Sequence, residues 1–125
     1  MLFRSLGEQL ARTHLESHGY RVLTANYRSP YGEIDLIAED RAQTQATLVF
    51  VEVKTRRSRL FGTPLQAVTP KKQERMWLTA QHWLMNHLKG EPEPSCRFDV
   101  IEVFVGSDGL SKVEHHVAVG VQSGE

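Results

Sequence analysis

The chain has 125 residues, 40% of them hydrophobic and 24% charged, enough for a single domain (1–125) with a real core. No apolar run approaches the roughly 20 residues that cross a bilayer, which argues against a membrane partner. Fifteen basic residues balance fifteen acidic ones, so net charge points to no class of partner, and only their distribution is informative. The amino terminus lacks the apolar block of a secretion signal, and the lone Cys96 cannot form an internal disulfide. Both features lead us to expect a cytoplasmic protein.

In chain order, Leu6, Leu10, Ala11 and Leu15 recur at helical spacing, so residues 3 to 18 read as an amphipathic helix stopped by Gly19. "YRVLTANYR" (20 to 28) alternates as a strand, and "SPYG" follows with the Pro and Gly positions of a type I turn. Residues 33 to 39 and 47 to 54 form two further strands, joined by a polar loop as an antiparallel hairpin. Residues 55 to 68 are irregular and basic. Thr69 and Pro70 open a second helix, a capping hydroxyl before a proline at the first helical position, and Lys89-Gly90 closes it. Trp77, Ala80, Leu84 and Leu88 make its apolar stripe, widened by Met76 and Trp83. "CRFDVIEVFV" reads as a strong strand and "LSKVEHHVAV" (110 to 119) as a weaker last one, before a frayed "QSGE". The order αβββαββ predicts an α/β protein: a mixed β-sheet flanked by helices.

Two strands carry acids where a core is expected. "LVFVEVK" is apolar at four successive positions, Leu48 to Val51, which marks a central strand covered on both faces. Period two sets Phe50, Glu52 and Lys54 on one face, and Glu33, Asp35 and Ile37 share a face on the preceding strand. The simplest hairpin register opposes Glu39 to Leu48, Ile37 to Phe50 and Asp35 to Glu52. Like charges so opposed repel, and partial burial sharpens the repulsion. A cation between them relieves it, either Lys54 or a divalent ion of the kind that takes carboxylate oxygens. The alternative is a solvated ladder in which Glu33 pairs with Lys54 and the acids face water.

Cations cluster nearby. Lys54, Arg56, Arg57 and Arg59 fall within six residues, and Lys71, Lys72 and Arg75 within five. They read as contacts to backbone phosphates or as solvated surface. Lys71 and Lys72 lie in a first helical turn, where a positive charge opposes the helix dipole and does nothing for helix stability. Asp99, in the middle of an apolar strand, reads as a sheet-locking acid. His14 and His18 have zinc-compatible spacing, but no third His or Cys is near them in sequence, so the histidines read as non-ligands.

"GEIDLIA", "VFVEVKTR", "AVTPKKQ" and "RFDVIEV", preceded by "LGEQLA", together resemble the YraN-like family of small bacterial proteins. That family is similar to the archaeal Holliday junction resolvases, within the restriction-endonuclease-like superfamily of PD-(D/E)xK nucleases. The resemblance implies a restriction-endonuclease-like fold. It also implies a Mg²⁺-dependent endonuclease, with Mn²⁺ as an alternative metal, that acts on DNA of branched or otherwise structured form. Asp35 matches the first acid of the superfamily motif, Glu52 the second and Lys54 its lysine; the motif's proline is absent, since Glu33-Ile34 precedes Asp35. Glu8 matches an additional acid of resolvase-like members, or is a solvated helix acid. Asp35 and Glu52 would hold metal, and Arg56, Arg57, Arg59, Lys71 and Lys72 would contact nucleic acid. Similarity to resolvases further implies a homodimer. The competing reading is a non-catalytic nucleic-acid-binding module that keeps the same fold.

Overall fold

The computed structural model describes residues 2–42, 44–57 and 69–119. Its elements are α1 (Leu2–Ser17), β1 (Tyr20–Ser29), β2 (Gly32–Asp40), β3 (Thr47–Arg56), α2 (Pro70–Leu88), β4 (Ser95–Val105) and β5 (Ser111–His116). The strands form one sheet in the order β1-β2-β3-β4-β5, with β3 and β4 parallel and the other neighbours antiparallel. The parallel pair needs a crossover, and α2 supplies it. The tail expected to fray, 122–125, and most of the basic loop, 58–68, lie outside the described residues.

The four-residue apolar run explains the middle position of β3. Val49 and Val51 join Leu36, Ala38, Ile101 and Val103 beneath Ala11 and Leu15 of α1. Leu48 and Phe50 face the other way, with Ile37, Phe98 and Val100, beneath Met76, Ala80, Trp83 and Leu84 of α2. Each face of the sheet therefore has its own helix and its own core. Both tryptophans belong to the second of these, Trp83 buried and Trp77 packed against it, as their place on the apolar stripe predicts. No helix among the described residues is long and apolar enough to cross a membrane.

Helix α2 begins as its sequence predicts: the Lys72 N–H donates to Thr69 Oγ1 at 3.2 Å, and Pro70 takes the first turn. Lys89, in left-handed backbone at φ 47°, ends it. Helix α1 departs from expectation at Leu6, which is 41% exposed. The residues that face the sheet are Gly7, Ala11 and Leu15, spaced by four, and Leu6 falls to one side of that line. Gly7 is the point of closest approach. A β-carbon there would meet Thr55 Oγ1 at 1.8 Å and Thr55 Cβ at 2.9 Å. Only a glycine lets α1 cross the end of β3 so tightly, and that crossing carries Arg4 and Glu8 towards the carboxyl end of the strand.

The last strand is shorter than 110 to 119, because the chain turns where alternation alone would extend it. Ala118 adopts φ 58° and donates its N–H to Asp99 Oδ1 at 3.0 Å. Val119 then donates to the Phe98 carbonyl at 2.7 Å and tucks into the α2-side core. Strand β1 bulges between Val22 and Thr24, which breaks the simple alternation of its sequence.

Gly7→Ala should cost about 1–3 kcal/mol, the usual cost of overpacking a tight contact. Adding Thr55→Ala should recover part of that loss, because the hydroxyl is the nearest clashing atom. Urea denaturation of the two single mutants and the double mutant measures the coupling.

Candidate active site

Strands β2 and β3 pair from Asp40↔Thr47 to Leu36↔Val51 and then part. Beyond that point β2 stays with β1, down to Ser29↔Gly32, while β3 stays with β4, out to Arg56↔Phe104. A notch opens in the middle of the sheet. The Asp35 carboxylate bridges it: the Val53 N–H donates to Asp35 Oδ2 at 2.7 Å. In an antiparallel pair a residue's N–H and C=O serve the same edge, so the Val53 carbonyl faces the notch too.

The expected register holds at Glu39↔Leu48 and Ile37↔Phe50, but the ladder stops before Asp35 could oppose Glu52. Those two residues face each other across the notch instead of across a hydrogen-bonded pair. They line one cleft of about 760 Å³ with Val53, Lys54, Lys71, Lys72, Arg75 and Arg4. Asp35 is 4% exposed. The solvated-ladder alternative does not fit, since Glu33 pairs with Arg4 at 3.0 Å and Arg28 at 3.5 Å and the acids turn inward.

Cations surround the two acids. Glu52 Oε2 is ion-paired with Lys72 Nζ, and Lys54 Nζ lies 3.9 Å from the same oxygen. The Arg4 guanidinium lies 3.5 Å from Asp35 Oδ1 and 3.5 Å from Glu8 Oε2. Burial pushes the Asp35 carboxyl up to about 7; the Val53 N–H resists this, while the Glu52 and Glu8 charges add to it. Burial also draws the Lys54 ammonium below the usual lysine range, with Glu52 opposing and Lys72 assisting. At Lys72 burial works in the same direction, but its bond to Glu52 outweighs it and holds the charge above that range.

The oxygens fit a hard divalent cation: two carboxylates and a backbone carbonyl at an open cleft where water would complete the shell. The state of Asp35 agrees with this. Burial disfavours its charge even with the Arg4 guanidinium 3.5 Å away, and the Glu52 and Glu8 charges add to that. Glu8 adjoins the site through Arg4, which it meets at 3.5 Å, and its charge acts on Asp35.

The cations expected to contact nucleic acid separate into groups. Lys71 and Lys72 line the cleft. Arg56 is turned to Glu102, with Nε 2.9 Å from Oε2, and is 15% exposed, so the structure gives it a structural partner in place of an open surface. Arg57 is exposed beside Phe104 and Leu110, outside the cleft, and Arg59 lies outside the described residues. Arg4 was not legible as a site residue from motif alone. Its signal is helical spacing, because it precedes Glu8 by four residues and shares its face.

Two other polar clusters are internally matched. Asp99, fully buried, accepts from Arg97 Nε at 3.0 Å, from the Ala118 N–H, and pairs with His115 Nε2 at 2.7 Å. Burial would raise its carboxyl, but these bonds outweigh burial and hold it below the usual range. Arg97 extends the network to Asp40 at 2.9 Å and to the Tyr20 hydroxyl at 2.7 Å. This is the sheet-locking role expected of Asp99. His115 Nδ1 also meets His14 Nε2 at 3.3 Å. Elsewhere Glu102, Glu114 and His116 bring ligand atoms within 4.8 Å of one another, but Arg56 already neutralises Glu102 there.

An α/β sheet split at its centre around an acidic pair, in a cleft of cations, is the class of protein these residues define. Residues 7–103 match the family described as Uncharacterised protein family UPF0102, and the chain belongs to that family. It is 52% identical over 103 residues to a UPF0102 protein of Symbiobacterium thermophilum, covering 82% of each chain. A UPF0102 protein of Alkaliphilus oremlandii is 50% identical over 99 residues, 79% of this chain and 81% of the relative. One from Pelobacter propionicus is 45% identical over 114 residues, 90% of this chain and 78% of the relative. The YraN-like resemblance of the sequence motifs is thus a family membership.

Asp35 and Asp99 should respond oppositely to pH in chelating buffer. Asp35 ionises near 3.8 when unfolded but only near 7 in the fold, so between those values the native state binds more protons. Stability should therefore fall as pH rises through that window, and Asp35→Asn should flatten the slope without destabilising. Asp99 has a depressed carboxyl, so its contribution is present above its unfolded value and lost on acidification below it. Asp99→Ala should cost about 3–5 kcal/mol, as breaking a buried ion pair does. Urea titrations across the pH range check both.

Proposed function

We propose that this protein is a divalent-metal-dependent endonuclease with a restriction-endonuclease-like fold, hydrolysing phosphodiester bonds in branched or otherwise structured DNA. One observation carries the reading: Asp35 and Glu52 converge on one notch at Val53, beside Lys54, in a cleft rimmed by cations. A pure binding surface has no use for a buried acid and a half-buried one beside its phosphate contacts.

Asp35 and Glu52 would hold Mg²⁺ or Mn²⁺, with the Val53 carbonyl as a neutral ligand. The bound ion supplies Lewis-acid polarisation of the phosphoryl oxygen and acidifies a water molecule. Lys54, on the strand that carries Glu52, orients the attacking water and stabilises charge as it develops on the phosphate. Its partial burial makes that charge count for more than it would in bulk water. Lys71 and Arg75, on the exposed first turns of α2, bind the flanking phosphates irrespective of sequence. The notch between β2 and β3 admits a phosphodiester to the acids without displacing any strand pair.

Cleavage of a four-way junction and of linear duplex, each with Mg²⁺, Mn²⁺ or chelator, tests the reading. The wild type should cut only with metal. Asp35→Asn, Glu52→Gln and Lys54→Met should each lose about a hundredfold or more, the scale of removing one preorganised electrostatic group. Metal-independent binding with no cleavage of either substrate would favour the non-catalytic module. Lys71→Ala with Arg75→Ala should weaken DNA binding for all sequences alike. The pair should also lower the slope of log K against log[salt] by about 2, roughly one for each phosphate no longer neutralised.

A further inference from the structure

Lys72 stands in an unusual place. It lies in the first turn of α2, where the helix dipole disfavours a cation, and its backbone is pinned there by the Thr69 cap. Its ammonium ion-pairs with Glu52 Oε2, an oxygen the proposed metal would need, and Lys54 Nζ lies only 3.9 Å from that oxygen. On the other side of the notch the Arg4 guanidinium lies 3.5 Å from Asp35 Oδ1. One oxygen of each acid thus already has a cation, one from each helix. Both are held by flexible stems, with Lys72 36% and Arg4 65% exposed.

We propose that Lys72, assisted by Arg4, is a displaceable counter-ion that holds the cation position in the metal-free protein and moves to the substrate phosphodiester when metal enters. This rests on reading Asp35 and Glu52 as a metal site and adds how that site is regulated. A divalent ion on Glu52 would sit within a few ångströms of the Lys72 ammonium and repel it. Lysine suits the exchange, being a compact charge on a long flexible chain. The cleft beyond holds Lys71 and Arg75, and its further acid, Glu33, is already paired with Arg4 and Arg28, so a released Lys72 gains an uncommitted anion once a phosphodiester has bound. Metal alone must expel a cation into a basic cleft, whereas metal with phosphodiester gives that cation a partner. The two ligands therefore bind with positive coupling, and each raises the affinity of the other by the same factor.

Calorimetry with Ca²⁺, alone and with a short DNA duplex carrying phosphorothioate linkages, tests this without relying on turnover. Wild type should bind Ca²⁺ about tenfold more tightly when the duplex is present. Lys72→Met should bind Ca²⁺ alone several-fold more tightly than wild type, and the duplex should add little. Lys72→Arg should restore the coupling, which a merely structural role for the side chain would not predict. Thermal melts of each variant in chelator confirm that it is folded. If wild type and Lys72→Met bind Ca²⁺ equally in both conditions, the counter-ion role is wrong and the metal site stands. If neither binds Ca²⁺ with or without duplex, the metal reading fails and takes this inference with it.

Discussion

The hydrogen bond from the Val53 N–H to Asp35 Oδ2, 2.7 Å long, governs the centre of this molecule. Where β2 leaves β3, an interior strand loses its neighbour, and a buried backbone donor without a partner costs about as much as a lost hydrogen bond. The Asp35 side chain supplies the acceptor that β2's backbone no longer can. Without it the sheet would have to remain paired, closing the notch, or leave the Val53 N–H of an interior strand unsatisfied. The same bond fixes the carboxylate, leaving Oδ1 directed to Arg4 and the cleft. One interaction thus ends the ladder, satisfies the strand and aims the acid.

What keeps the notch open is the rigidity on either side of it. Each half of the split belongs to a continuing ladder, β1 with β2 and β3 with β4, so neither strand can drift to close the gap. The two cores press from opposite faces, with α1 seated through Gly7, Ala11 and Leu15 and α2 through Met76, Ala80, Trp83 and Leu84. At the far end of the sheet Arg97, Asp99, Asp40 and His115 tie β4 to β2 and β5 by buried charge. The two buried aspartates show what environment does to one side chain. Asp99 has a donor for each of its oxygens and is held ionised, whereas Asp35 has one firm donor, two acidic neighbours and a carboxyl pushed up to about 7. The first is built for the fold. The second offers β3 the acceptor it needs but as an ionisable acid where a neutral oxygen would serve, which is the pattern of a site kept for binding or chemistry.

Much of this was legible in the chain itself. Two-sided cover of Leu48 to Val51 dictates a central strand, alternation sets Asp35, Glu52 and Lys54 on one face, and Thr69-Pro70 announces α2, because these are local consequences of period and capping. The element order and the register at Ile37↔Phe50 follow from the same rules. Tertiary structure decided the rest. That the ladder stops at Leu36↔Val51 depends on which neighbour each strand keeps, which no single segment encodes. Lys72 meets Glu52 and Arg4 meets Asp35 only because two helices on opposite faces converge on one end of the sheet. His14 gains His115 as a neighbour 101 positions away, and Arg56 turns to Glu102 on an adjacent strand. Such pairings join residues far apart in the chain, so their energies depend on the folded geometry and leave no periodic trace in the sequence.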